Sequence, residues 1–364
     1  MSIARLVKPH IRDLRPYQPG KPVEELEREL GIADAVKLAS NENPLGPSPK
    51  AVAAMRAAAE RVHRYPDGSS YRLRRALSQR LEVAPEQLVF GCGSDEILEI
   101  LAKVFLGPGD EVIYAWPSFA LYPIVAQGMG AASVRVPLDE SMTHDLDGLK
   151  AAVGDKTRAL VVCNPNNPTG TSVGAEAFDA FVASLPADLL LVIDEAYVEY
   201  ARRPDFPDAL STVRRRPGTI VLRTFSKIYG LAGARVGYSV ADRELASYLE
   251  RARHPFNLSL LAEEAALAAL DDDAHVLRSR QVNDDGARML TRELEALGIE
   301  VWPSDANFVL ARPGAGTYEA LLREGVIVRP LAGFGLPDHI RITIGRAHEN
   351  EKLVKALQTI RERT

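Results

Sequence analysis

The chain has 364 residues, 46% of them hydrophobic and 26% charged, the profile of a soluble globular enzyme of about two domains. A net charge of −5 argues against an electrostatic nucleic-acid binder, and arginine clusters such as Arg72–Arg75 and Arg214–Arg216 read as solvated faces. Seven scattered histidines argue against a metal site, Cys92 and Cys163 read as small buried residues, and the lack of any apolar run of signal-peptide or membrane-spanning length leaves a cytoplasmic protein with no membrane partner as the expectation.

Residues 1–39 mix Pro9, Pro16, Pro19 and Pro22 with one helical piece, Val23–Leu30, and read as an arm that packs on something else rather than as a domain. Asn41–Pro49 is a loop, Lys50–Val62 an alanine-rich helix, Tyr65–Ser70 a second loop and Tyr71–Leu81 a second helix. Seven apolar strand candidates then alternate with helical segments: Leu88–Phe90, Glu111–Ala115, Ser133–Val136, Ala159–Cys163, Leu189–Ile193, Thr219–Arg223 and Arg235–Val240. That alternation predicts the α/β class, a large domain over 40–255 with a mostly parallel seven-stranded sheet flanked by helices. From residue 256 the pattern predicts a smaller α+β domain, 256–364, with helices over Leu258–Leu270, Ala274–Leu297 and Glu349–Arg361. Its strands are expected at Glu300–Val301, Phe308–Ala311, Val326–Arg329 and His339–Thr343.

Four strand-like runs end in polar or glycine-rich residues: F-G-C-G-S-D-E (Phe90–Glu96), V-V-C-N-P-N-N-P-T-G (Val161–Gly170), L-L-L-V-I-D-E-A-Y (Leu189–Tyr197) and T-F-S-K-I-Y-G-L-A-G-A-R-V-G (Thr224–Gly237). Ligands of open α/β sheets bind at the carboxyl ends of strands, so four such ends point to one site. Lys227, among small and apolar residues with Arg235 eight positions on, has the layout to hold an aldehyde cofactor with a phosphate tail. Burial would lower the lysine's pKa and make it a nucleophile or base. A lone lysine after a strand is ordinarily a solvated surface residue, so the weight lies in its neighbours.

Asp194 is placed to keep a cofactor ring nitrogen protonated, although alone it would read as a loop or capping aspartate. Tyr197 and Asn167 could contact the ring oxygen. The turn at Gly93, Ser94 and Asp95 opens a helical run, Asp95–Phe105, whose free N–H groups suit a phosphate, with Thr224, Ser226 and Arg235 closing the cradle. Phe119 could stack on the ring; without the other pieces it would read as core.

On these motifs the chain resembles the fold-type I, class I/II aminotransferases that depend on pyridoxal phosphate, over essentially its whole length. S-K-x-x-G-L-A-G-x-R-x-G, N-P-N-N-P-T-G and D-E-A-Y carry the likeness. Within that family the short length, L-R-P-Y-Q at Leu14–Gln18, N-E-N-P-L-G, R-Y-P at Arg64–Pro66 and R-I-T-I-G at Arg341–Gly345 are similar to the histidinol-phosphate aminotransferases.

The resemblance implies pyridoxal phosphate held on Lys227, which also moves the α-proton, with Asp194 and Tyr197 completing the catalytic set. It implies Ser226, Arg235 and Gly93–Asp95 on the phosphate and Arg341 on the substrate anion. Asn41, Asn167, Arg329, Tyr17 and Tyr65 are expected as further substrate contacts, with Tyr65 reaching the partner's site in a homodimer. It also implies that residues 1–39 pack on the small domain and the dimer partner. The expected reaction is ping-pong, with glutamate and 2-oxoglutarate as one substrate pair and imidazole-acetol phosphate and histidinol phosphate as the other. Some members stack a tyrosine where this chain has Phe119. An aromatic amino acid aminotransferase and a threonine-phosphate decarboxylase share the cofactor motifs and stay open. A transcription regulator would need a helix-turn-helix segment, for which residues 1–39 are too short and proline-rich.

Overall fold

The computed structural model describes residues 3–363. Its first strand, β1 (Val36–Leu38), is followed by the strands of the large sheet: β2 (Leu88–Gly91), β3 (Glu111–Trp116), β4 (Ala132–Pro137), β5 (Thr157–Cys163), β6 (Leu190–Asp194), β7 (Thr219–Thr224) and β8 (Gly237–Ala241). They lie in the order β2–β8–β7–β6–β5–β3–β4. Only β8 runs against its neighbours; the other pairings are parallel.

The interior strands carry apolar runs through their centres because each covers a core on both faces. Ile113, Leu160, Val162, Leu191, Ile193 and Val221 point to one side, with the helices Tyr71–Leu81 and Ala175–Ser184. Val112, Tyr114, Val161, Val192, Ile220 and Leu222 point to the other, with the helices Ser94–Phe105, Leu121–Met129 and Arg243–Ala252. The helix after β3 and the helix after β5 therefore cover opposite faces. The chain changes direction across the sheet between those two strands, which opens a crevice at their carboxyl ends.

The smaller sheet adds β9 (Glu300–Val301), β10 (Phe308–Arg312), β11 (Val326–Pro330) and β12 (Ile340–Thr343), in the order β1–β11–β12–β10–β9. The long helix Asp273–Ala296 packs Ala287, Leu290 and Leu294 onto it. The N-terminal segment is woven into this unit. β1 pairs in parallel with β11, and Leu26 of the helix Val23–Leu30 packs on Ile327. At three residues, β1 is too short to stand out as an apolar run in the sequence.

Packing also differs from the expected division at residue 256. The helix Leu260–Leu270 buries Ala262, Ala265, Ala266 and Ala269 in the core under the large sheet. It lies against the helix Pro49–Ala59, itself alanine-rich, because small side chains on both allow close approach. The step to the smaller unit comes after it, at Asp272, whose side chain caps the long helix.

Gly237 opens β8 directly against the start of the helix Ser94–Phe105. A Cβ there would collide with the Ser94 nitrogen and lie 2.7 Å from the Gly93 carbonyl carbon and 3.1 Å from the Arg223 oxygen. All three are backbone atoms, so no side chain can swing away. Gly237→Ala should cost about 1–3 kcal/mol of stability, read as a lower urea midpoint. Gly233→Ala, with nothing within 4 Å of the added carbon, should not. Equal midpoints for the two variants would contradict the close approach.

Candidate active site

The ends of β5, β6 and β7, the loop after β3 and the smaller sheet enclose a cavity of about 380 Å³. Every site residue expected from the sequence lines it except Tyr65. Tyr65 is 83% exposed and stacks on Phe256, with ring centroids 4.9 Å apart, outside the cavity.

One end of the cavity is an anion cup. Gly93, with φ of 81°, precedes the first residue of the helix Ser94–Phe105 and leaves the N–H groups of its first turn free. A Cβ on Gly93 would collide with the Arg235 guanidinium, so glycine is what lets Arg235 lie over the helix start. Arg235 is itself left-handed, with φ of 58°. Its Nη1 donates to Ser226 Oγ at 3.4 Å and its Nη2 to Asp95 Oδ2 at 3.2 Å. The Ser226 N–H donates to Thr224 Oγ1 at 3.1 Å. Cys92, expected to be buried, is instead exposed at this turn, because the glycines on either side carry the chain outward over the helix start. Cys163 is buried, and both thiols are free.

At the centre, Asp194 ends β6 and is 3% exposed. Its Oδ2 accepts from Tyr122 Oη at 2.7 Å and its Oδ1 from the Ala196 N–H at 3.1 Å. Burial raises its pKa to about 6, while the Tyr122 and Ala196 hydrogen bonds oppose the rise. Tyr122 is absent from the sequence-derived site. Its one signal in the sequence is its place three residues after Phe119, at the end of W-P-S-F-A-L-Y (Trp116–Tyr122). The Phe119 ring stands edge-on to Tyr122, centroids 5.6 Å apart, and lines the cavity.

Lys227 is partly buried, with its Nζ 5.5 Å from the centroid of the Tyr197 ring. Burial, and after it the neighbouring Arg341, lowers its pKa to about 8. Among the described residues it forms no ion pair. Tyr197 is buried against Phe308, and its hydroxyl accepts from Asn41 Nδ2 at 2.9 Å.

The other end is cationic. Arg341 on β12 is buried. Its Nη1 donates to Asn167 Oδ1 at 2.6 Å, its Nη2 to the Ala39 carbonyl at 2.5 Å, and its Nε is unpartnered. Burial lowers its pKa to about 10, so it stays charged at neutral pH without a carboxylate beside it. Arg329 sits directly across the β11–β12 ladder, donates to the Gln18 carbonyl at 3.0 Å and lies 5.7 Å from the Tyr17 ring centroid. Because Asn167 Oδ1 is taken by Arg341, the amide nitrogen of Asn167 is left as a donor.

A family model described as aminotransferase class I and II matches residues 33–360. The chain is 48% identical to a histidinol-phosphate aminotransferase of Moorella thermoacetica, over 96% of this chain and 92% of that protein. It is also 48% identical to one of Akkermansia muciniphila, over 99% and 100%. The crystal structure of histidinol-phosphate aminotransferase from Sinorhizobium meliloti in complex with pyridoxal-5'-phosphate superposes with a TM-score of 0.90 at 31% identity, covering 98% of each chain. Aspartate aminotransferase from Thermus thermophilus with maleate superposes at 0.84, with 25% identity over 98% of this chain and 99% of that one.

The donor set fits pyridoxal phosphate on the structure's own terms. A cup for a phosphate, a lysine with lowered pKa and a buried carboxylate lie along one cavity. Tyr122→Phe removes a donor from Asp194 and should raise that carboxyl's pKa further, so less of it is ionised to pair with a cationic ring. Titration of cofactor-free protein with pyridoxal phosphate should show about tenfold weaker binding at pH 6 and a smaller loss at pH 8. An equal loss at both would remove Tyr122 from this role.

Proposed function

This chain belongs to the class I and II aminotransferases, and we propose that within that family it is the transaminase that exchanges the amino group between glutamate and imidazole-acetol phosphate, giving 2-oxoglutarate and histidinol phosphate in histidine biosynthesis. The observation that carries the substrate reading is Arg341. It is a buried guanidinium with an unpartnered Nε, set beside Arg329 and opening on the cavity that Lys227 shares. Burying a cation without a counter-charge is costly, and the cost is recovered when an anionic substrate arrives. A planar guanidinium suits carboxylate and phosphate alike, so one residue can serve both substrates in turn.

Pyridoxal phosphate, when bound, supplies an aldehyde that takes up amino groups and a ring that withdraws electrons from the substrate α-carbon. In this reading Ser226, Thr224, Arg235 and the N–H groups of Gly93–Asp95 hold its phosphate. Asp194 accepts from the ring nitrogen and keeps it protonated. Tyr197 and Asn167 donate to the ring oxygen, and Phe119 covers the ring face. Lys227 would hold the aldehyde carbon. Burial already favours its neutral amine, which suits it to move the proton at the substrate α-carbon. Arg341, with Arg329 and Tyr17, orients the substrate's anionic groups.

The homodimer is part of the same proposal. Tyr65, Phe256 and Tyr71 form an exposed aromatic patch away from the chain's own cavity. A second copy would cover it and receive Tyr65 in its site.

An absorbance titration of the loaded protein tests the substrate. Histidinol phosphate should convert the visible band and 2-oxoglutarate should restore it, whereas conversion by phenylalanine or tyrosine alone would replace the substrate and keep the family chemistry. Lys227→Ala should lower kcat by about 10⁴-fold or more, as loss of both base and nucleophile requires. For the dimer, Tyr65→Ala and Lys227→Ala chains are each expected to be impaired, and mixing them should restore activity. One subunit of each mixed dimer then has an intact lysine and receives an intact tyrosine. No recovery on mixing would place Tyr65 outside the partner's site.

A further inference from the structure

Asn41 reads from the sequence as a substrate contact, but its bonds are directed elsewhere. It is 1% exposed and left-handed, with φ of 56°. Its main-chain N–H donates to Thr343 Oγ1 at 2.9 Å and its carbonyl accepts from Asn307 Nδ2 at 3.0 Å. Its Oδ1 accepts from Thr343 Oγ1 at 3.1 Å, and its Nδ2 donates to Tyr197 Oη at 2.9 Å.

The directions of these bonds follow from the donors. A main-chain N–H can only donate, so Thr343 Oγ1 accepts there, and the acceptor facing its own proton is Asn41 Oδ1 at 3.1 Å. That fixes the amide with its nitrogen toward Tyr197. The phenol oxygen receives this N–H, so its proton points away from Asn41. With the amide turned over, Thr343 Oγ1 would accept two N–H groups, its own proton would lose the Asn41 acceptor, and Tyr197 would give its proton to Asn41.

We propose that Asn41, locked by Thr343, is a positioning residue that sets the direction of the Tyr197 hydroxyl, making Tyr197 a donor to the cofactor's ring oxygen rather than an acceptor. The inference rests on the assignment of Tyr197 above and adds what enforces it. Asn41 acts through Tyr197 and needs no contact with substrate.

The test is a pH titration of the visible absorbance of cofactor-loaded protein without substrate. A donor at the ring oxygen stabilises negative charge there and favours the deprotonated form, so its loss raises the midpoint. Tyr197→Phe should raise it by about one unit and Thr343→Val by about half of that. Thr343→Ser, which keeps the hydroxyl, should restore the wild-type midpoint. Thr343→Val should add nothing in the Tyr197→Phe background. A shifted Tyr197→Phe with an unshifted Thr343→Val would overturn the role of Asn41 and leave the proposed function standing. A Thr343→Val shift that persists in the Tyr197→Phe background would overturn it too, because the effect would not pass through Tyr197. An unshifted Tyr197→Phe would remove Tyr197 from the ring oxygen, and this inference with it.

Discussion

Two cations held out of water in one cavity, Lys227 and Arg341, set the terms for everything around them. Burial lowers the pKa of both, and Arg341 is the next cause of the shift at Lys227 after burial itself. Desolvating an ion costs several kcal/mol even after relaxation, and two like charges do not relieve each other. Only a large, rigid core can hold such groups in place, and only anionic ligands can offset them. The lysine responds by becoming partly neutral near physiological pH, which makes it reactive. The arginine remains charged and becomes a receptor for anions.

The two sheets divide this task. The large sheet delivers the ends of β5, β6 and β7, with Cys163 and Asp194 in register, so the carboxylate and the asparagine loop lie side by side. The smaller sheet brings Arg329 and Arg341 in from the opposite side. The loop after β1 stitches them together. Asn43 Nδ2 donates both to the Ile228 carbonyl, next to Lys227, at 2.8 Å and to Ser279 Oγ on the long helix at 2.9 Å. The cavity is therefore defined by hydrogen bonds between polar loops as much as by apolar packing.

Much of this was legible in the sequence. Strands buried on both faces appear as apolar runs, and the central strands of the large sheet were visible that way; the exposed edge strand β4 was visible instead by its place in the strand–helix alternation. The cofactor-side residues of the cavity were legible because they follow such runs, whereas Tyr17, Asn41, Arg329 and Arg341 were expected only from the family resemblance. What was hidden depends on three-dimensional neighbours. β1 is held by pairing with β11, not by its own three residues. The helix Leu260–Leu270 looks like any helix near a domain boundary, and only its alanine face, meeting another, assigns it to the large sheet. Tyr122 is an ordinary aromatic until Asp194 is found 2.7 Å away. Cys92 reads as buried by its apolar neighbours, while the turn geometry decides its exposure. Asn41 was visible as a site residue, but the polarity of its bonds was not.

That polarity traces to a single strand. In I-R-I-T-I the period of two sends Ile340, Ile342 and Ile344 into the core of the smaller unit and turns Arg341 and Thr343 to the other face. Arg341 takes the oxygen of Asn167 and leaves its nitrogen as a donor. Thr343 takes the oxygen of Asn41 and turns that nitrogen to Tyr197. Both asparagines are thus polarised in the same sense by residues two apart on β12, one serving a partner from the large sheet directly and the other through the loop after β1. A one-residue slip of β12 would turn the arginine into the apolar core and the isoleucines toward the cavity, so the packing that fixes the register also fixes the direction of the hydrogen bonds. The apolar alternation of one short strand determines how the polar side of the cavity is oriented.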